Sequence, residues 1–250
     1  MNRKTRKWLF LASACGLAAV FVLGFLSLPP FGDYRGPYGD VVNAITVPER
    51  HVTDTVTAVN FDIRGFDTLG EEYILFTSVM AVVLLLRRLR HEPSHDHADC
   101  APDRRQEEPT DAIRVVSMFV AAATVVFGIY IVVHGQLTPG GGFQGGVILA
   151  SAPLLLYLAS EFDQFKKAAP RPLAHFGEAL GAGAYALIGF GAMAGGATFL
   201  ENILPLGIKG SVFSGGTVAL IDLAVGLEVA GGLALLLISY LEETFERKEE

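Results

Sequence analysis

The sequence predicts an all-α integral membrane protein with about six transmembrane helices and both termini in the cytoplasm. Three observations support this fold class. Of the 250 residues, 51% are hydrophobic and only 18% are charged. The charged residues are concentrated between long uncharged runs, which approach the roughly 20 residues that a helix needs to cross a bilayer. The basic residues also lie on alternating sides of these runs, which is typical of a polytopic membrane protein.

Six apolar runs are the candidate spans. They cover residues 8–28, 73–86, 113–133, 143–160, 173–200 and 217–240. The first run follows four basic residues and resembles a secretory signal peptide in this respect. Its apolar part is longer than a usual signal sequence, and no small-residue cleavage site precedes Pro29. We therefore interpret it as a retained transmembrane helix.

The orientation follows from the positions of the 19 lysines and arginines. If the six spans alternate, all but four of them lie on the same side as the N-terminus; the exceptions are Arg35, Arg50, Arg64 and Lys209. Basic residues accumulate on the cytoplasmic side of membrane proteins. The sequence therefore predicts cytoplasmic termini and an exterior position for the segment between the third and fourth runs.

Composition divides the chain into modules. Residues 1–90 form a two-helix module with an exterior loop at 29–72, residues 112–241 form a four-helix domain, and residues 242–250 form a cytoplasmic tail. Residues 91–111 are polar, charged and rich in proline, so they are predicted to be a flexible cytoplasmic linker.

The linker contains side chains of the types that bind metals, namely His91, His95, His97 and Cys100. A zinc site requires a scaffold that holds its ligands in tetrahedral geometry. The flanking prolines and charges provide no such scaffold, so we predict a solvated joint and no metal site. No cofactor is expected, and neither the acidic net charge of −7 nor any basic patch indicates nucleic-acid binding.

A glycine-rich break separates the third and fourth runs. Five glycines and a proline fall within eight residues, and the predicted structural residues are Pro139, Gly140, Gly141, Gly142, Phe143, Gly145 and Gly146. Proline removes an amide donor and glycine permits positive φ, so the whole segment is predicted to be tightly shaped non-helical backbone. At membrane depth such backbone must be buried in protein or line a wet cavity. The break is therefore a packing element or a part of an ion path.

Two carboxylates lie inside the last run, Asp222 and Glu228. A charge within a span is costly, so each is a candidate for an ion path. Six positions separate them by about 240° around a helix, so they do not share a face. Glu228 is nearer the middle and is the better relay candidate, whereas Asp222 is a candidate for a bond to backbone or to the glycine-rich break. A purely structural hydrogen-bonded role is an open alternative for both.

Two further ion-path candidates are Glu178 and His134. Glu178 lies near the cytoplasmic start of the fifth run, where an interfacial position explains it without transport. His134 closes the third run, and its titration range suits either an interfacial side chain or a proton shuttle.

A charged cluster precedes the second run, and its members are Asp62, Arg64, Asp67, Glu71 and Glu72. Acids beside a helix start commonly act as caps and interfacial anchors. The density of acids here also makes these residues candidates for docking a partner.

Several motifs resemble the MnhB/MrpB family of multisubunit Mrp-type Na⁺/H⁺ antiporters. They are HGQLTPGGGFQGG at 134–146, FSGGT at 213–217 and VGLEV at 225–229, and the resemblance covers about residues 112–240. The N-terminal motif NFDIRGFDTLGE at 60–71 resembles the C-terminal end of the large MrpA protein, which exists as a separate small protein, the E component, in membrane-bound hydrogenases.

The resemblance implies a fusion of an E-like and a B-like module in the cell membrane of a prokaryote. It also implies a non-enzymatic subunit that couples Na⁺ and H⁺ movement together with other antiporter subunits. The alternative is the ion-translocating membrane module of a membrane-bound hydrogenase or related respiratory complex. This chain has two cysteines, so any iron–sulfur chemistry would lie in partner subunits. The parent complex, the ion stoichiometry, the role of loop 29–72 and whether ions pass through this subunit stay open.

Overall fold

The computed structural model describes residues 3–33, 36–86, 109–159 and 162–246. The described residues form helices and loops, and they contain no strand. The helices are α1 (Arg3–Leu26), α2 (Pro37–Arg50), α3 (Thr55–Ala58), α4 (Gly65–Leu85), α5 (Asp111–Val133), α6 (Gly142–Ala159), α7 (Phe162–Ala168), α8 (Arg171–Ala194) and α9 (Thr217–Glu246), with a π-helical turn at Val59–Ile63. The predicted all-α class is confirmed.

Within the described residues, six helical segments are long and apolar enough to cross a membrane. They are Lys4–Leu26, Gly65–Leu85, Asp111–Val133, Gly142–Ala159, Phe165–Ala194 and Thr217–Leu241. Because long uncharged runs must form helices to satisfy their backbone in lipid, hydropathy locates these spans well. The chain is a multi-pass membrane protein.

The described residues fall into two compact units, one ending at Val41 and one beginning at Val42. The first unit contains α1, whose large apolar side chains such as Trp8, Phe10 and Phe25 are exposed, as suits a helix that faces lipid or a partner. The second unit contains the remaining five spans. At its centre lies α9, which packs against α4, α5, α6 and α8 and is the most buried of the spans.

Glycine allows α9 to approach its neighbours closely. A methyl group at Gly181 of α8 would collide with the backbone of Glu228 and Ala224, and one at Gly231 of α9 would collide with the backbone of α8 at Glu178. In lipid, close backbone contact between small residues replaces the hydrophobic effect in holding helices together. The small residues of α8 therefore determine how deeply α9 is enclosed.

Two predicted boundaries were wrong. The second span begins at Gly65 and not at residue 73, so the acidic residues before 73 lie within α4. The predicted non-helical segment 139–146 ends early, because α6 begins at Gly142. The glycines of its first turn lie against α5 and α9, and this packing supports helix where glycine alone would disfavour it.

Other parts of the polar segments also differ from expectation. Residues 52–61, whose alternating pattern is suited to extended or amphipathic structure, form α3 and part of the π-helical turn. The predicted C-terminal tail is helical as far as Glu246, because α9 continues beyond the apolar run. The predicted linker 91–111, including its histidines and Cys100, lies outside the described residues up to residue 108.

Candidate functional site

Four carboxylates lie buried among α4, α8 and α9. The exposed fraction is 0% for Asp222, 1% for Glu228, 1% for Glu178 and 4% for Glu72. Carboxylates inside a membrane span are rare because of the cost of desolvation, and they commonly mark ion or proton pathways. This group of four is the candidate site, and it is called here the carboxylate ladder.

Glu228 is the central member of the ladder. Its backbone lies against Gly181 of α8, and its carboxylate is within electrostatic range of Glu72 on α4 and Glu178 on α8. Neither carboxylate oxygen of Glu228 has a hydrogen-bond partner among the described residues. A buried polar group without a partner is costly and calls for an explanation, such as bound water, an ion or a functional role.

Glu178 does not occupy the interfacial position that the sequence favoured. It is buried against Gly231 and Gly232, which lie near the middle of the α9 span. The span that contains it begins at Phe165, so Glu178 is already 13 residues into the apolar segment. The short helix α7 lies where a polar loop was expected, and its presence places Glu178 farther from the membrane surface than the apolar run alone indicated.

Glu72 is not an exposed docking residue, and this part of the prediction was wrong. Because α4 begins at Gly65, Glu72 lies two turns inside the helix on the face that also carries Thr68, Leu69 and Val79. That face packs into the bundle, so Glu72 points to the interior while its neighbour Glu71 is exposed.

The other members of the charged cluster lie in different environments. Arg64 and Asp67 form an exposed ion pair one helical turn apart. The Asp62 side chain is buried, with its Oδ2 3.4 Å from Nε of Arg50. Burial raises the pKa of Asp62, whereas Arg50 and a hydrogen bond with Asn202 favour the charged form. Asp62 is therefore an internal structural group, and Arg64, Asp67 and Glu71 are the surface residues of the cluster.

Asp222 ties α9 to the glycine-rich break. Its Oδ1 accepts a hydrogen bond of 2.8 Å from the backbone N–H of Gly142, the first residue of α6. A carboxylate at a helix N-terminus satisfies an unpaired donor and interacts favourably with the helix dipole. Asp222 thus faces α6 whereas Glu228 faces α8, as their angular separation around α9 predicts.

The break itself needs glycine at two positions. Gly140 has φ of +148° and Gly141 has φ of +116°, a backbone region that side chains other than glycine's rarely adopt. A methyl group at Gly141 would also lie 2.9 Å from Oδ1 of Asp222. The structure therefore confirms a tightly shaped turn at these residues, immediately before α6.

His134 lies at the start of this turn and has local partners. Its ring stacks on Tyr130 with centroids 4.1 Å apart, and its Nδ1 lies 3.0 Å from the carbonyl oxygen of Tyr130. These contacts agree with an interfacial side chain, and they do not connect His134 with the carboxylate ladder.

Gln136 is a structural residue that the sequence analysis missed. It is 1% exposed, and its Nε2 donates a hydrogen bond to the carbonyl of Val212 in the loop before α9. Its own carbonyl accepts from the N–H groups of Thr53 and Asp54. Gln136 therefore joins three segments at one end of the bundle, the loop end, formed by residues 42–64, 134–141 and 195–216. A single glutamine in a glycine-rich motif gives no signal of such long-range bonds.

Known proteins resemble this chain both in its C-terminal half and over most of its length. A family model described as a domain related to the MnhB subunit of Na⁺/H⁺ antiporters matches residues 112–235. An uncharacterized protein of Methanocaldococcus jannaschii is 31% identical over 213 residues, which are 77% of this chain and 79% of that protein. The chain belongs to the MnhB family. A shorter match is the MnhB-type protein of the Na⁺/H⁺ antiporter of Alkalihalophilus pseudofirmus, which is 44% identical over 57 residues, or 23% of this chain and only 37% of that protein.

Two solved structures share the fold of this MnhB-family chain. One is a chain of the membrane-bound sulfane sulfur reductase, an archaeal respiratory membrane complex, with a TM-score of 0.72 and 27% identity over 95% of this chain and 98% of that chain. The other is a chain of the Mrp complex of Dietzia sp. DQ12-45-1b, with a TM-score of 0.72 and 20% identity over 96% of this chain but only 26% of that chain. Together with the six apolar helices, the family places this chain in the plasma membrane of a prokaryote.

The carboxylate ladder extends beyond the matched MnhB domain. Glu178, Asp222 and Glu228 lie within residues 112–235, whereas Glu72 belongs to α4, which precedes the domain. Because α4 packs against α8 and α9, the N-terminal part of this MnhB-family chain contributes to the same interior.

Proposed function

We propose that this chain is a non-catalytic membrane subunit of a multisubunit Mrp-type antiporter module, which exchanges monovalent cations for protons. The observation that carries the proposal is the match of residues 112–235 to the MnhB-related domain, within a chain whose spans enclose four buried carboxylates. Buried carboxylates are a means of moving protons or cations through a membrane. Na⁺ and H⁺ are the proposed transported ions.

The proposed partners are other subunits of the module and the lipid bilayer. Large apolar side chains are exposed along α5, for example Val115, Phe119, Val126 and Ile129. Such a surface suits lipid or other transmembrane helices, since it would be unfavourable in water. The exposed charges of Arg64, Asp67 and Glu71 at the start of α4 are proposed to contact a partner near the membrane surface.

The proposed organisation is a fusion of two modules. Residues 1–90 correspond to the E-like or A-like part with its loop at 29–72, and residues 112–241 correspond to the B-like domain. Support comes from the two solved chains, whose similarity extends over at least 95% of this chain and not only over the MnhB domain. The biased distribution of lysine and arginine supports cytoplasmic termini, which places the loop end on the exterior side.

A second candidate is the ion-translocating membrane module of a respiratory complex. One observation favours it: the matched chain of the sulfane sulfur reductase complex is covered over 98% of its length, so the two chains have the same extent. The Mrp chain is much longer, with only 26% covered. In this second candidate, electron-transfer chemistry in partner subunits would drive ion movement.

Purification from native membranes distinguishes the two candidates. We expect a tagged chain, extracted in mild detergent, to co-purify with antiporter-type subunits that mass spectrometry identifies. Co-purification with iron–sulfur or other redox subunits would replace the stand-alone antiporter with the respiratory complex. Recovery of the chain alone from membranes that retain other intact complexes would contradict both candidates.

A further inference from the structure

We propose that Glu72, Glu228 and Glu178 form a proton relay through the interior of this subunit. The relay rests on the antiporter-module function proposed above and adds a route for the proton. It connects three helices, since Glu72 belongs to α4, Glu178 to α8 and Glu228 to α9.

The position of Glu178 relative to Glu228 follows from glycine contacts. A methyl group at Gly232 would lie 3.4 Å from Oε1 of Glu178. Gly232 is four residues after Glu228, so it lies on nearly the same face of α9, one turn or about 5 to 6 Å farther along the helix. The Glu178 carboxylate therefore lies beyond Glu228 in the direction away from the loop end.

Glu72 lies on the opposite side of Glu228. Val79 of α4 contacts the same Gly232, with its Cγ2 3.3 Å from the position of a methyl group there. Glu72 is seven residues before Val79, which is two turns or about 10 Å nearer the loop end. Both Glu72 and Glu178 are within electrostatic range of Glu228. The order along the bundle is therefore Glu72, Glu228, Glu178.

The three side chains are unpartnered and each is more than nine-tenths buried. Oxygens without a hydrogen-bond partner in the described residues are Oε2 of Glu72, Oε1 of Glu178 and both oxygens of Glu228. Three buried negative charges at this spacing would repel each other and lack hydration. Protons shared among the three carboxylates remove this cost, and a polar interior of this kind suits bridging water.

The spacing suits transfer better than chelation. Among the described residues, no group of three or more Asp, Glu, His or Cys side chains is close enough to hold a metal ion. In the relay, the O–H bond of one carboxylic acid breaks as an O–H bond forms on a bridging water, which passes a proton to the next carboxylate. The donor becomes the carboxylate, so the total charge of the three groups is unchanged by each internal step.

Two other ionisable groups face this interior. The Tyr185 hydroxyl on α8 donates a hydrogen bond of 2.9 Å to the carbonyl of Gly65, and it is within electrostatic range of Glu72, Glu228 and Asp222. Asp222 accepts its bond from Gly142. Both groups have a structural hydrogen bond in the chain, which distinguishes them from Glu228.

The test uses the complete complex reconstituted in lipid vesicles, with Na⁺-dependent proton flux and subunit composition measured in parallel. The variants are Glu72→Gln, Glu178→Gln and Glu228→Gln, which keep shape but cannot exchange a proton. Because loss of a proton-transfer group typically costs about 10²-fold or more, we expect flux to fall at least about tenfold in each assembled variant. The matched control is Glu49→Gln, the same change at an exposed carboxylate of α2, which should retain wild-type flux.

Infrared spectroscopy adds a readout that a packing role would not change. We expect each glutamine variant to lose a carbonyl band of a protonated carboxylic acid that shifts in D₂O. If a glutamine variant does not assemble, the aspartate variant at that position decides: a relay predicts reduced flux and a shifted pH profile, and a packing carboxylate predicts neither.

The two proposals fail in different ways. Wild-type flux in all three assembled glutamine variants would overturn the relay and leave subunit membership intact. An assembled wild-type complex without any Na⁺-dependent proton flux would instead contradict the proposed antiporter function.

Discussion

Replacement of Gly181 by leucine is expected to prevent stable packing of α8 on α9. A side chain at this position would collide with the backbone N–H of Glu228 and the carbonyl oxygen of Ala224. Backbone atoms cannot move aside as the end of a flexible side chain can, so the two helices must separate. Overpacking a buried site typically costs about 1–3 kcal/mol, and a collision with backbone belongs at the upper end or beyond. We expect much less folded protein in the membrane and a lower midpoint of thermal unfolding in detergent.

Gly183 provides a matched control on the same helix. A methyl group there would meet nothing within 4 Å, so Gly183→Leu changes helix propensity and bulk to the same degree without the collision. Size-exclusion chromatography after heating in detergent measures both variants. Equal losses in Gly181→Leu and Gly183→Leu would show that bulk on α8, and not the contact with Glu228, determines the result.

Replacement of Asp222 by leucine is expected to damage the junction between α9 and the glycine-rich break. Leucine cannot accept the hydrogen bond from the N–H of Gly142, and a buried donor without a partner costs about 1–3 kcal/mol. The branched side chain would also press on Gly135 and Gly141, which lie directly against the Asp222 carboxylate. We expect reduced assembly with partner subunits, measured as the yield of co-purified complex.

Asp222→Asn separates the hydrogen bond from the charge. The asparagine Oδ1 can still accept from Gly142, so we expect assembly much closer to wild type than in Asp222→Leu. If Asp222→Asn and Asp222→Leu reduce assembly equally, the negative charge at the α6 N-terminus would be the important feature. Wild-type assembly in both variants would exclude a structural role for this carboxylate.

Hydropathy predicted the spans well but not the beginnings of α4 and α6. An uncharged run must be helical in lipid, so its middle is unambiguous from sequence. Residues before the second run looked like a polar loop because they include Asp67, Glu71 and Glu72. Glu72 is tolerated inside a helix only because α8 and α9 enclose it, and this tertiary environment leaves no local signal.

The candidate site was predictable in its members more than in its arrangement. Charge within an apolar run was sufficient to select Glu228, Asp222 and Glu178. It did not show that Glu178 lies at the depth of Gly231, because that depth depends on α7 and on the close approach of α8 to α9. Gln136 was missed for a related reason: its hydrogen bonds join segments distant in the chain.

The most direct test of the central claim measures Na⁺-dependent proton flux in inverted membrane vesicles from cells that lack only this chain. Partner subunits are quantified in the same vesicles. We predict that flux is lost without the chain and returns when the wild-type chain is supplied, with the complex restored in parallel. Wild-type flux from an intact assembly of the remaining subunits, in the absence of this chain, would contradict the claim that it is a working part of the antiporter module.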